Sequence, residues 1–125
     1  MVGAALTCLA LAVYHEARGE PLSGQMAVAE VVLNRVESDR FPNTVCEVVK
    51  QPHQFSFYWD GKSDTPRDPV AWAIASNVAQ QALDQKPNIT EGATFYHATY
   101  VSPYWAARFH PTAAIGRHVF FKSNN

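Results

Sequence analysis

The sequence is poor in charge. Lys, Arg, Asp and Glu make up 17% of its 125 residues and balance to a net charge of −1. With no basic surplus and no basic run, nucleic acid and anionic membrane surfaces are excluded as the main partner. Cysteine is scarce too, with Cys8 and Cys46 alone in the chain. Two cysteines make no disulfide scaffold, and without a C-x-x-C pair there is no zinc knuckle or thioredoxin-like motif. No H-E-x-x-H motif, internal repeat or low-complexity tract occurs. The apolar N-terminal stretch MVGAALTCLALAV is 13 residues long, short of the roughly 20 that a membrane-spanning helix needs. It has no positive n-region and no A-x-A-like exit, so it predicts the start of a buried helix. A signal peptide, if there is one, precedes Met1 and has been trimmed.

What is present suffices for one domain over residues 1–125. The chain is 47% hydrophobic, enough for one core. Ala4 to Ala17 is small and apolar nearly all round, as in a helix packed on several sides, and Gly19 and Pro21 end it. A second helix is predicted from Ser23 or Gly24 to about Ser38. Val28, Val31, Val32 and Val36 keep its apolar spacing, and Glu30, Asn34, Arg35 and Glu37 form its polar remainder. Thr44-Val45-Cys46-Glu47 has the form of a capping box and predicts a short helix to about Lys50. Asp68-Pro69 reads as an N-cap and first helical position, opening a helix to about Leu83. Strands are predicted over Ala93–Ala98 and Ile115–Phe121, with a short helix at Pro103–Arg108 between them. Helices first and short strands after give an α+β fold, mostly helical, with a small β lobe.

The segment Tyr14-His15-Glu16-Ala17-Arg18-Gly19-Glu20-Pro21 carries the densest chemistry. Glu16 falls in the last turn of an otherwise apolar helix. Burial there raises a carboxyl pKa, as a general acid requires, and glycosidic cleavage needs a proton delivered to the leaving oxygen. From the residues alone, a solvated charge or a pair with Arg18 is the simpler reading. Glu20, next to Gly19 and Pro21, reads as a turn residue that orders the loop. The five histidines are His15, His53, His97, His110 and His118. A zinc site would have to assemble from distant residues, and nothing in the spacing selects one. Both cysteines fall in predicted helices, where a buried thiol is inert.

Aromatic residues crowd the second half. Phe55 and Phe57 alternate with Gln54, Ser56 and Tyr58 and are expected in the core. Trp59, Tyr96 and Trp105 stay open between core packing and service as faces for sugar rings.

The ordered set Glu16-Ala17-Arg18-Gly19-Glu20-Pro21, Gly24–Ala29, Val32-Leu33-Asn34-Arg35-Val36, Phe41–Val45 and Gln54-Phe55-Ser56 resembles the SleB-type spore cortex-lytic and cell wall hydrolase family. Phe95-Tyr96-His97-Ala98, Pro103-Tyr104-Trp105 and Ile115–Phe120 continue the resemblance, which spans nearly the whole chain. It implies a lysozyme-like single domain acting on peptidoglycan at the bond between N-acetylmuramic acid and N-acetylglucosamine. The implied reaction is lytic transglycosylation, with Glu16 as acid/base. Such an enzyme needs no cofactor, metal or second carboxylate. Asp60 is the candidate partner if water is the nucleophile instead. A zinc amidase and a non-catalytic glycan-binding module are the other readings. Glu20, Gln54, Phe55, Tyr96, His97 and Trp105 are the expected substrate contacts. Cys8 and Cys46 fall where extracytoplasmic members often carry cysteines, so the resemblance implies a bridge. The expected partner is the glycan strand, met by a monomer acting at the cell wall, whether periplasmic, secreted or released during lysis.

Overall fold

The computed structural model describes residues 3–52 and 54–123. Met1, Val2 and His53, which figure in the sequence readings, lie outside the described residues. The chain folds as expected into a mostly helical α+β domain. Its elements are α1 (Ala4–Ala17), α2 (Leu22–Glu37), α3 (Val45–Val49), α4 (Ser56–Trp59), α5 (Pro69–Gln85), β1 (Phe95–Ala98), a 3-10 turn (Tyr104–Ala107), β2 (His110–Ile115) and β3 (His118–Lys122).

Helix α1 occupies the centre and packs on α2, α3 and α5. Its small residues explain this. Ala10, Ala12 and Ala17 are buried beside Leu9, Val13 and Tyr14, so neighbouring helices approach from several sides. Gly19, at φ 88°, lies just past its C-cap Arg18, where a left-handed residue ends a helix without steric penalty. The disulfide Cys8–Cys46 ties α1 to α3. Two local devices behave as their sequences suggest. The Thr44 side chain accepts from the Glu47 backbone N–H at the start of α3. The Asp68 carboxylate accepts from the N–H groups of Val70 and Ala71 at the start of α5. The buried Tyr14 hydroxyl also receives the N–H groups of Arg67 and Asp68, which fixes the entry of α5 against α1.

The sheet has the order β1-β3-β2, antiparallel throughout. It corrects the expected strand over Ile115–Phe121. Ile115 ends β2, Gly116 and Arg117 form the turn, and His118 opens β3 opposite Ile115. Gly116 takes φ 58°, a conformation that interrupts a strand. The unanticipated strand β2 contains Pro111, which is tolerated because β2 is an edge. Helix α4 is a second element without a sequence forecast. A first core cluster joins α1, α2, α3 and α5 with Phe55 and Phe57. A second joins Ala17, Ala27, Val28 and Val31 to Phe120, seating the sheet on the end of α1 and the middle of α2.

Two residues of α2 assigned to its polar remainder are buried instead. Arg35 belongs to the site below. Glu30 is 1% exposed and accepts from the N–H groups of Ile89 and Thr90, each at 2.7 Å, and from the Thr90 hydroxyl. It holds the loop that leads from α5 into the sheet. Glu30→Ala strands those donors without partners. The expected loss is about 3 kcal/mol in urea unfolding. A loss under about 1 kcal/mol would show that the loop does not depend on this carboxylate.

Candidate active site

The last turn of α1 points Glu16 at the sheet. Its Oε1 accepts a hydrogen bond from the Tyr96 hydroxyl on β1 at 2.7 Å. The two line an open cavity of about 390 Å³ together with Arg35, Gln54, Phe55, Phe95, Tyr104 and Trp105. Glu16 is half-buried. Burial raises its carboxyl above the ordinary 4.5, opposed by the Tyr96 hydrogen bond and then by the nearby charges of His15 and Arg35. The Tyr96 phenol is pushed well above 10 by burial and by Glu16, so it stays a proton donor in this bond. Arg18 does not pair with Glu16. It donates to the Tyr14 hydroxyl at 2.6 Å and lies over the Tyr14 ring.

Arg35 supplies the cation. Its side chain is buried among the rings of Phe41, Phe55 and Phe95, with the guanidinium carbon 4.9 to 5.6 Å from their centroids. Its Nε donates to the Thr94 carbonyl at 2.7 Å and its Nη1 to Gln54 Oε1 at 3.2 Å. Burial lowers its pKa to about 10, which leaves it charged at neutral pH. The sequence reading passed over Arg35 as a site residue. A signal was present, since position 35 follows Val28, Val31 and Val32 at seven, four and three residues, on the apolar face.

Five expected site residues thus share one cavity: Glu16, Gln54, Phe55, Tyr96 and Trp105. Glu20 and His97 do not line it. The His97 Nδ1 donates to the Ala98 carbonyl at 2.7 Å, and its ring lies against Phe121 and edge-on to Trp105, which makes it a support for Trp105. Glu20 faces the β2–β3 turn, where its carboxylate accepts from the Arg117 backbone N–H at 2.8 Å and from Arg117 Nε at 3.0 Å. Asp60 accepts from the Lys62 N–H at the end of α4 and is exposed. Glu16 is the one acidic residue lining the cavity among the described residues. No three His, Cys, Asp or Glu side chains gather as a metal-binding group among them. The described His15 instead donates to the Asp64 carbonyl and stacks on Phe57. No helix among the described residues is long and apolar enough to cross a membrane.

The Glu20 contacts have a pH signature. The Arg117 backbone N–H above all, with Arg117 and His118, holds the Glu20 carboxyl below 4.5. A carboxyl depressed in the folded state contributes stability that is fully present above its unfolded value and is lost as pH falls through the folded one. Glu20→Gln is therefore expected to lower the melting temperature at pH 7 and to flatten its decline below about pH 4.5. Parallel melting curves for the two proteins from pH 7 to pH 3 would contradict this.

Residues 19–121 match the family model described as cell wall hydrolase. The spore cortex-lytic enzyme of Bacillus cereus is 36% identical over 115 residues, covering 91% of this chain and 42% of the relative. That of Bacillus subtilis is 38% identical over 118 residues, covering 90% and 35%. The chain therefore spans less than half the length of these relatives. Solved structures locate the shared part. The catalytic domain of the germination-specific lytic transglycosylase SleB from Bacillus anthracis superposes with a TM-score of 0.82 at 33% identity, covering 98% of this chain and 97% of that one. The catalytic domain of the Bacillus cereus SleB protein gives 0.75 at 34% identity, with 94% and 88% covered. In sequence over most of its length, and in fold across the helical layer and the sheet, the chain belongs to the cell wall hydrolase family.

Proposed function

We propose that the chain is a lytic transglycosylase domain that cuts peptidoglycan glycan strands between N-acetylmuramic acid and N-acetylglucosamine, with Glu16 as both acid and base. The observation that carries this reading is a lone carboxyl, raised by burial and held by Tyr96, in an open cavity with aromatic and amide walls. A protonated Glu16 gives its proton to the glycosidic oxygen as the bond from that oxygen to C1 breaks. The 6-hydroxyl of the same muramic residue then bonds to C1, and its proton returns to Glu16. The product is a 1,6-anhydro ring, no water is consumed, and the carboxyl ends as it began.

Tyr104 and Trp105 offer ring faces to the sugars, while Phe55, 1% exposed, backs the wall beneath Arg35. Gln54, held by Arg35, offers an amide to their hydroxyl or acetamido groups. The domain acts as a monomer, over residues 1–125, on cell wall material. A water-using muramidase would need a second carboxylate about 5 to 9.5 Å from the first. The arrangement around Glu16 favours the single-carboxyl route, because Asp60 is engaged at the end of α4.

Mass spectrometry of fragments released from purified peptidoglycan tests the reading. The native protein is expected to release anhydro-muramic ends, and Glu16→Gln to lose at least about 100-fold in rate. Reducing muramic ends would transfer the assignment to a muramidase. Free stem peptides with intact glycan would transfer it to an amidase, and binding without any new ends to a non-catalytic module. The rate should also follow the protonation of Glu16. Since burial raises that group, kcat/KM is expected to hold above the ordinary carboxyl range and to fall as pH rises through the raised value. A limb centred at about 4.3 would separate the activity from this carboxyl.

A further inference from the structure

The β2–β3 turn is built around Glu20. Arg117 reaches the Glu20 carboxylate through its backbone N–H and its Nε. A Cβ on Gly116 would stand 2.5 Å from Glu20 Oε1 and 3.1 Å from Pro21 Cδ, and Gly116 also takes φ 58°. Only glycine lets the turn approach this closely without strain. On the α2 side, a Cβ on Gly24 would stand 3.2 Å from Glu20 Cβ, and the Gln25 amide donates to the Glu20 carbonyl at 3.1 Å. Glu20 is therefore held by the turn through its side chain and by α2 through its carbonyl, and it does not line the cavity of Glu16.

The next residue along β3 carries the contact inward. The His118 Nδ1 lies 3.7 Å from Glu20 Oε1, and it is buried without a hydrogen-bond partner among the described residues. The His118 ring stands edge-on to Tyr96, with centroids 5.1 Å apart at 75°. Ala98 pairs with His118 and Tyr96 with Phe120 across the ladder. The Tyr96 ring thus sits between β3 and Glu16, and its hydroxyl ends on Glu16.

We propose that Glu20 is a positioning residue for the reaction: by clamping the Gly116-Arg117 turn it sets His118 against Tyr96, and so holds the Tyr96 hydroxyl on Glu16. The proposal rests on the reading of Glu16 as the acid/base, but its test needs no turnover. The groups that face Glu16 are Tyr96 from β1, Arg35 from α2 and His15 from α1 itself. Those that face Glu20 are Arg117 and His118. Loosening the clamp lengthens the bond from Tyr96 and leaves the Glu16 carboxylate less stabilised.

Carbon-13 NMR titration of the Glu16 carboxyl, assigned by its loss in Glu16→Gln, reads this directly. Tyr96→Phe is expected to raise the Glu16 midpoint by roughly one pH unit, the size of one hydrogen bond to a charged group. Glu20→Gln places an amide N–H against Arg117 Nε, and it is expected to raise the midpoint by part of that shift. In the Tyr96→Phe background it should add nothing, as a shared path requires. Gly116→Ala changes no charge and is expected to act in the same direction, so it carries the test if Glu20→Gln does not fold. An unchanged midpoint in these variants would reduce the clamp to a structural brace. A lowered midpoint that persists without the Tyr96 hydroxyl would mean a direct charge effect and overturn the proposal. A third measurement separates substrate contact. Glu16→Gln and Glu16→Gln/Glu20→Gln are expected to sediment equally with insoluble peptidoglycan, and weaker binding by the double variant would also overturn it. Retained turnover by Glu16→Gln would refute the functional reading and leave the measured coupling of Glu20 to Glu16 intact.

Discussion

A hydrogen bond from the Tyr96 hydroxyl to Glu16 joins the helical layer to the sheet within the candidate site. Each partner is there because of its own layer. Glu16 lies in the last turn of a helix that is mostly small or apolar, so the carboxyl arrives at the surface of a packed core rather than in open water. Tyr96 belongs to a strand whose place is set by pairing with β3, and β3 is anchored by the fully buried Phe120 against Ala17, Ala27, Val28 and Val31. Errors in the sheet's placement are therefore felt at Glu16. At 2.7 Å this bond has little tolerance for displacement.

The legible parts of the fold are those where local chemistry and tertiary demand agree. Asp68-Pro69 starts α5 and Thr44 starts α3, because a cap satisfies orphan N–H groups whatever the surroundings. The extent of α1 is legible for a related reason, since a helix buried on several sides shows as a run of small and apolar residues, ended here before Gly19 and Pro21. The β2–β3 hairpin was not legible. Pro111 speaks against a strand, and the run from Ile115 to Phe121 hides a two-residue turn that only the left-handed Gly116 reveals. Nor was α4, whose four residues look as much like alternation as like a helical turn.

Three charges, Arg35 at the site and Glu30 and Glu20 away from it, have partners that residue type and resemblance do not show. Glu30 and Arg35 stand on the apolar side of α2 at positions that periodicity marks for burial, yet their charge assigned them to the surface. Glu20 was expected on the substrate because the resemblance places it near Glu16. Its carboxylate is spent on Arg117. The partners of all three lie far along the chain: Ile89 and Thr90 for Glu30, Thr94 for Arg35, Arg117 for Glu20. Long-range partners of this kind leave no mark in a local window, and only the folded chain brings them together.

The proton economy of a lone carboxyl explains why the cavity contains both an apolar wall and a cation. Burial without compensation would raise Glu16 until it held its proton too tightly to give it to a glycosidic oxygen, a strong base but a poor acid. Full solvation would leave it ionised near neutral pH, a base with no proton to give. Tyr96 and Arg35 act against burial, and burial remains the larger effect. The cation is itself kept in place by Thr94, Gln54 and three aromatic rings, so its distance from Glu16 is fixed by packing rather than by a salt bridge. A direct ion pair would lower Glu16 too far to act as an acid. In the proposed reaction, a guanidinium that stabilises the carboxylate without contacting it would leave the proton free to be passed to the leaving oxygen and recovered from the 6-hydroxyl. The same group can then serve both halves of the reaction without a second carboxylate.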